Sequence, residues 1–501
     1  MRMRSWYVLV VTLYIVCATA LAANKLPWVD EAWYASPAIN ALRTGSFGTP
    51  NFWMIGLPGV RSYTYWEMPG FIMSLVPWLA VFGTSLAAAR AFTIVLGGAV
   101  LFVWERTLAA MGWPVPARGV ALLLMAAEDL FLLDATYARS DMLSLLFMVS
   151  ALCSYVRLRE ANFRMALLAS QAFAVAAGLV HPNAGLLSLV ALAVLAWPDR
   201  RRFRLDVAPL LMLPYVIGAL LWGAYISQAP ELWIAQLSRN SANRFLGNVN
   251  PIAVVIDEVV KRYLTAFGWG PHTAGTPRLV ALKGIVLALW VAGVVGCCGS
   301  AAIRKDVWVR RLLLVLLASF LFFAFFENKH TTYYLIWFVP TYSALAGRWV
   351  HVFSSQGGWR RSLAVSLCLG ALAVSLAAAA QKTRRHLGMQ QYWQVVEHLR
   401  TRSALGPIAA SVEFGFALGF GPGALVDDIS LGTWSRIGPR TVVVGLRYDE
   451  YMPIPKVPIS QDVHEAAAWL RSDCVIGMRN SDYRVYHCPE RVLPSRDGPI
   501  P

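Results

Sequence analysis

The sequence predicts an α-helical polytopic membrane protein with a small α/β domain at its C-terminal end. Three observations carry that fold class. The 501 residues are 57% hydrophobic and only 14% charged, against about 25% charged in soluble domains. Apolar runs long enough to cross a bilayer recur from the N-terminus to about residue 380. Beyond that point the pattern changes to short strand-like runs and an amphipathic helix.

The first run, residues 5–23, follows the basic start MRMR and ends near small residues, Ala18-Thr19-Ala20. A cleavable signal peptide has that form. The further apolar runs favour an uncleaved signal anchor instead, with Arg2 and Arg4 holding the N-terminus in the cytoplasm. Ten more spans are expected at 88–105, 117–134, 141–157, 163–180, 184–197, 207–226, 279–299, 311–327, 332–349 and 361–380. Residues 69–83 are apolar as well, but their Pro and Trp content and the closing Gly83 predict a helix lying on the membrane.

Charge tests this count of eleven. The net charge is +16, and its clusters fall in alternate loops: Arg157, Arg159 and Arg164, then Arg200 to Arg204, then Arg304 to Arg311, then Arg348 to Arg361. The intervening short loops hold little more than Arg139 and Lys329. Basic residues concentrate on the cytoplasmic side, and counting 69–83 as a span would invert every later cluster. No basic stripe or nucleic-acid motif is present. Twenty tryptophans and eighteen tyrosines suit aromatic belts at the interfaces.

Two long outward loops follow, 24–87 and 227–278, with an outward tail, 381–501, of about 120 residues, enough for one small core. The tail's strands are expected at Thr441–Val444, Cys474–Met478 and Tyr483–Cys488, its helix around Val463–Leu470, and a turn at Asp427-Asp428. Cys474 and Cys488 are equidistant from Ser481, so a hairpin turning there sets them opposite each other and predicts a disulfide, as an oxidising periplasm permits.

Unusual polar residues gather at one face. The first outward loop contributes Asp30, Glu31, Arg61, Tyr63, Tyr65 and Glu67; later loops add Tyr137, Arg139 and Asp141, then His181, then Lys329, His330, Tyr333 and Tyr334. Asp30 has a plain alternative as a helix N-cap, and Arg139 with Asp141 as a loop ion pair. Glu128 and Asp129 fall inside the third span and line the same cavity or mark an earlier helix end. Paired carboxylates serve as general base toward a hydroxyl or amine. Nearby cations bind a phosphate as it leaves. Together they describe group transfer from a lipid phosphate. A transporter or lipid flippase is the competing class, although no internal repeat is evident. An assembly protein that binds envelope polymers through its tail is the third.

LPWVDEAWYASPAINALRTGSF resembles the first-loop motif of GT-C superfamily glycosyltransferases, the group of protein O-mannosyltransferases and lipid A aminoarabinose transferases. Tyr65-Trp-Glu-Met-Pro69, TYARSDMLSLLF and NKHTTYYLIWFVP are similar to three later motifs of that group. The resemblance implies a GT-C fold with periplasmic juxtamembrane helices and a polyprenyl-phosphate-sugar donor in a bacterial inner membrane. The acceptor would be a lipid, glycan or protein, as in lipopolysaccharide or other cell-envelope glycosylation. It implies Asp30, Glu31 and Asp141 as catalytic carboxylates. Arg61, Tyr65, Glu67, Arg139, Lys329, His330, Tyr333 and Tyr334 would line the substrate site. No metal is implied, whereas oligosaccharyltransferases of the superfamily use one, and the three carboxylates are also able to hold a divalent cation. The chain departs from the aminoarabinose branch at Met68, where that branch has Lys, which leaves the donor sugar open. Pro37 is expected to kink the first juxtamembrane helix.

Overall fold

The computed structural model describes residues 3–54, 57–241, 250–269, 277–327, 329–385, 388–401, 406–421, 423, 425–445, 448 and 461–491. Nine described helices are long and apolar enough to cross a membrane. They are α1 (Met3–Asn24), α4 (Leu86–Ala110), α7 (Ser140–Leu158), α8 (Phe163–Val180), α9 (Pro182–Ala196, continued by a 3-10 turn to Arg202), α10 (Ala208–Ile226), α13 (Pro277–Gly299), α15 (Val307–Phe326) and α17 (Gly358–Arg385). The chain is therefore a multi-pass α-helical membrane protein. Small residues let these helices approach closely. A Cβ on Gly97 of α4 would come within 2.0 Å of the Tyr14 hydroxyl of α1.

The spans expected at 117–134 and 332–349 take a different form. Glu128 interrupts the first. The chain turns extended there, ending α5 (Val115–Ala127) and starting α6 (Asp129–Ala135), whose N-terminal amides of Leu130 and Phe131 donate to the Glu128 carboxylate. Asp129 pairs with Lys382 of α17. The two acids thus mark a helix end that the hydrophobic run concealed. At 332–349, a 3-10 turn (Thr332–Trp337) precedes α16 (Val339–Ser355), which packs among α5, α13 and α17. α3 (Pro69–Phe82) has 14 residues. At 1.5 Å per residue it reaches roughly 21 Å, short of the ~30 Å apolar core.

The first long loop carries α2 (Val29–Thr44) and β1 (Phe52–Trp53). Pro37 lies inside α2, and the helix nevertheless runs its full 16 residues. The second long loop contains α11 (Pro230–Ser241), α12 (Pro251–Asp257) and a π-helical stretch, Glu258–Leu264. The short helix α14 (Ala301–Arg304) links α13 to α15.

The C-terminal region has α18 (Gly388–Arg400), α19 (Gly415–Leu418) and α20 (Gln461–Ser472) around a four-stranded sheet. Its order is β2 (Ile408–Ala409), β4 (Thr441–Val444), β6 (Arg484–His487), β5 (Val475–Arg479). β2 and β4 run parallel; β4, β6 and β5 are antiparallel. α20 packs on one face with Trp434, and α18 on the other with Phe414 and Tyr483. Cys474 and Cys488 form a disulfide across the β5–β6 hairpin, Cα–Cα 4.4 Å. A bulge at Gly477 fits only glycine, since a Cβ there would fall 2.1 Å from the His487 ring.

Asp427-Asp428 is not the expected turn. It is a buried strand, β3, running parallel to β1, and it docks the C-terminal region on the first loop. Asn51 donates to the Gly421 and Leu425 carbonyls, and the Asp427 amide returns to the Asn51 carbonyl. Both aspartates face inward because backbone amides need acceptors there. Asp427 accepts from Val412, and Asp428 from Ser430, Gly432 and Ser435.

Candidate functional site

Three helix ends meet beside α2. The short turn after α6 delivers Arg139 and Asp141, the 3-10 turn after α15 delivers Tyr333, and the start of α2 delivers Trp28 and Asp30. Arg139 is the hub. Its Nη1 lies 3.4 Å from Asp30 and its Nε 3.2 Å from Asp141. Its guanidinium sits over two rings, 4.7 Å from Trp28 and 4.2 Å from Tyr333, which suits a planar cation. Burial works against this charge, but Asp141 and Asp30 outweigh it and hold it well above the ordinary arginine range.

The two carboxylates differ. Asp141 is fully buried, whereas the Asp30 side chain retains 18% exposure. Neither Asp141 oxygen makes a hydrogen bond among the described residues, nor do Arg139 Nε and Nη1. They are paired by charge and still able to bond a ligand. Asp30 is also not the N-cap. That position is Trp28, whose amide donates to Glu31 at 2.8 Å.

Glu31, expected among the catalytic carboxylates, sits apart from this hub as the buried partner of Arg90. It is completely buried and accepts four hydrogen bonds: two from Arg90, one from the Trp28 amide and one from the Ala138 amide. A carboxylate offers about four lone-pair sites, so its hydrogen-bonding capacity is filled. Arg90 adds bonds to the Ala22, Lys25 and Leu26 carbonyls. This pair ties α1, α2, α4 and the Tyr137–Arg139 turn together beneath the site.

The other expected residues divide into two groups. Glu67 accepts from Tyr34 at 2.6 Å, and the same phenol lies 3.0 Å from Ser140 beside Asp141, so Glu67 joins the cluster through Tyr34. Tyr334 is buried against Trp337 and His181 and supports Tyr333. Arg61 instead donates to the Pro50 carbonyl and stacks 4.1 Å from Trp53. Tyr65 pins the first loop to the second, its amide on Gln236 and its hydroxyl on the Tyr225 carbonyl. These two act as loop anchors.

Lys329 is exposed. His330 adopts a left-handed backbone, φ 48, and places Nδ1 3.1 Å from Glu258. Glu258 and Glu327 share Arg262 at 2.6 Å each, all three buried. This cluster fastens Glu327 and the 329–331 segment to the π-helical stretch, with the expected substrate contact His330 held in it beside Glu258.

Sequence reasoning missed Trp28, Lys25, Arg90, Glu258 and Arg262. Arg90 carried a signal, being a charge inside an expected span. Glu258 and Arg262 carried one in their i,i+4 spacing. Lys25 is buried over the Tyr137 ring, donates to Thr136 and the Leu133 carbonyl, and burial pushes its ammonium well below the ordinary lysine range despite Glu31. Among the described residues no three His, Cys, Asp or Glu side chains form a cation cluster. Arg139 itself stands between Asp30 and Asp141.

No protein-family model matches the chain, and no curated protein is significantly similar in sequence. Solved structures do match. ArnT from Cupriavidus metallidurans bound to undecaprenyl phosphate superposes with a TM-score of 0.61 at 15% identity, covering 98% of this chain and 99% of that one. The Archaeoglobus fulgidus oligosaccharyltransferase gives 0.58 at 12% identity over 98% of this chain and 75% of its own. The archaeal oligosaccharyltransferase AglB from Archaeoglobus fulgidus, with an inhibitory peptide and a dolichol-phosphate, gives 0.54 at 13% over the same shares. The chain shares the fold of these structures over nearly its whole length.

Proposed function

We propose that the chain is an integral inner-membrane glycosyltransferase. It moves a sugar from a polyprenyl phosphate, such as undecaprenyl phosphate, to a lipid, glycan or protein acceptor at the periplasmic face. The observation that carries this reading is the Asp30–Arg139–Asp141 cluster: a buried, ring-clamped guanidinium and a carboxylate with unused hydrogen-bonding capacity. The fold supports it, since one structure sharing it holds undecaprenyl phosphate and another a dolichol-phosphate.

In this reading the acceptor heteroatom bonds to the anomeric carbon as the bond from that carbon to the phosphate oxygen breaks. The acceptor proton passes to Asp30, the more accessible carboxylate. The electron pair leaves on the lipid phosphate, whose charge Arg139 meets with bidentate donors. Asp141 keeps the guanidinium oriented, Trp28 and Tyr333 offer a surface for the sugar ring, and Lys329 is assigned as a second cation for the phosphate. Residues 1–380 form the transferase domain on this reading, and 381–501 a periplasmic domain that closes on the first loop. A transporter is disfavoured because no internal repeat relates two halves of the chain.

The test uses purified protein in detergent and a panel of undecaprenyl-phosphate sugars, with and without EDTA, for wild type and Asp30→Asn. Transfer or donor hydrolysis that disappears in Asp30→Asn is expected, and the EDTA arm decides metal dependence. Equal turnover in the variant would overturn the assignment of Asp30.

A further inference from the structure

A second feature lies behind the catalytic cluster. Where α1 ends and α4 begins, the C-terminal region leaves a cavity of about 280 Å³, close to the roughly 300 Å³ at which small-ligand clefts begin. Its walls are Ala23, Leu86, Ala87, Met389, Trp393 and Phe416, predominantly apolar. The one charged lining residue is Arg90. All five of its N–H donors are directed at Glu31 and three backbone carbonyls. The cavity therefore presents no free guanidinium donor, and its two other polar lining groups are the Ser85 hydroxyl, which accepts from the Ala88 amide, and the Tyr392 hydroxyl, which donates to the Glu413 carbonyl. It suits an inert hydrocarbon chain.

Its depth and rim indicate the source of that chain. Ala23 lies at the end of one membrane-crossing helix and Leu86 at the start of another, so the cavity stands at the bilayer boundary. Ala23 and Ala87 are exposed, and Trp393 is 48% exposed at the mouth, the position of an interfacial tryptophan. Arg400 lies one side of that ring, its guanidinium 6.0 Å from the Trp393 centroid, and is held there by the Ala417 carbonyl. An apolar slot beside an interfacial Trp, with a guanidinium near that ring, fits an acyl chain under a phosphate headgroup.

We propose that this cavity seats one acyl chain of an anionic glycerophospholipid of the surrounding leaflet, with its phosphate against Arg400. The lipid fills the seam between α1, α4 and α18, and packs behind the Glu31–Arg90 pair. It is a fixed structural lipid, separate from donor and acceptor, and its presence does not depend on the transferase reading.

The experiment uses full-length protein delipidated in detergent and titrated with phosphatidylglycerol or phosphatidylcholine under native mass spectrometry. One phosphatidylglycerol should bind in preference to phosphatidylcholine. Ala87→Trp, which fills the slot, should weaken phosphatidylglycerol about tenfold, and Arg400→Gln should bring the two lipids to within about twofold of each other. Phosphatidylglycerol with a photoreactive acyl chain should label wild-type peptides containing residues 85–90 and 389–393, an arm independent of how any variant folds. Absence of label there, unchanged binding in a folded Ala87→Trp, or displacement of the label by undecaprenyl phosphate would each overturn the proposal.

Discussion

The Arg139 guanidinium lies 3.2 Å from the Asp141 carboxylate, yet neither Asp141 oxygen completes a hydrogen bond among the described residues. A buried ion pair of that kind is costly to keep unless a ligand uses it. Its planar clamp between Trp28 and Tyr333 is specific to guanidinium. Arg139→Lys should therefore behave much like Arg139→Gln, each lowering sugar transfer about a hundredfold or more. Donor-binding and turnover assays on both variants check this; substantial activity in Arg139→Lys would show that charge alone suffices.

Glu31 and Arg90 are expected to matter through folding. Removing one partner leaves a buried charge unpaired, at about 3–5 kcal/mol. Glu31→Ala and Arg90→Met should each lower the melting temperature sharply in detergent. Removing both charges together, as Glu31→Leu with Arg90→Met, should recover part of that loss. A single Glu31→Ala with wild-type melting and no transfer would restore Glu31 to the chemistry.

How much of this was legible in the sequence depends on the kind of signal. Hydrophobic runs gave most long helices within a few residues, and short β-branched and apolar runs located β4, β5 and β6. The break at Glu128 was not legible, because Leu130 to Leu133 continue the apolar run and only the cap geometry stops the helix. Asp427-Asp428 looked like a turn because its composition is that of turns; its burial comes from long-range pairing with Phe52-Trp53. Among the candidate residues, Asp30 and Asp141 both come within ion-pair distance of Arg139, since each of the three lies at a local helix start. Glu31, Arg61 and His330 looked equivalent to them in sequence. Only the partners Arg90, Trp53 and Glu258, brought in from elsewhere, separate anchors from the site.

The disulfide closes a loop with a sequence separation of 14. Cross-linking a loop of about 15 residues contributes roughly 3 kcal/mol in the chain-entropy account. Cys474→Ser with Cys488→Ser should lower the unfolding temperature of the C-terminal region while leaving the membrane helices intact by circular dichroism. Because β3 of that region pairs with β1, activity should fall at temperatures where the region melts. Unaltered melting on loss of the disulfide would make it stabilising in name only.

Lys25 gives a pH dependence of definite sign. Its ammonium is buried beside Tyr137 and is held well below the ordinary lysine value, first by burial. In the unfolded chain it titrates near 10.4. A lysine depressed in the folded state binds fewer protons there than when unfolded, so it destabilises the fold fully below the folded value. That penalty fades as pH rises toward about 10.4, since stability increases wherever the unfolded state binds more protons. Lys25→Met removes this titration while every other group is shared. The melting temperature of wild type, relative to Lys25→Met, should climb as pH is raised from neutrality toward about 10.4. Parallel curves for the two proteins across that range would mean that Lys25 keeps its proton on folding, and that the Tyr137 ring and Glu31 together offset its burial.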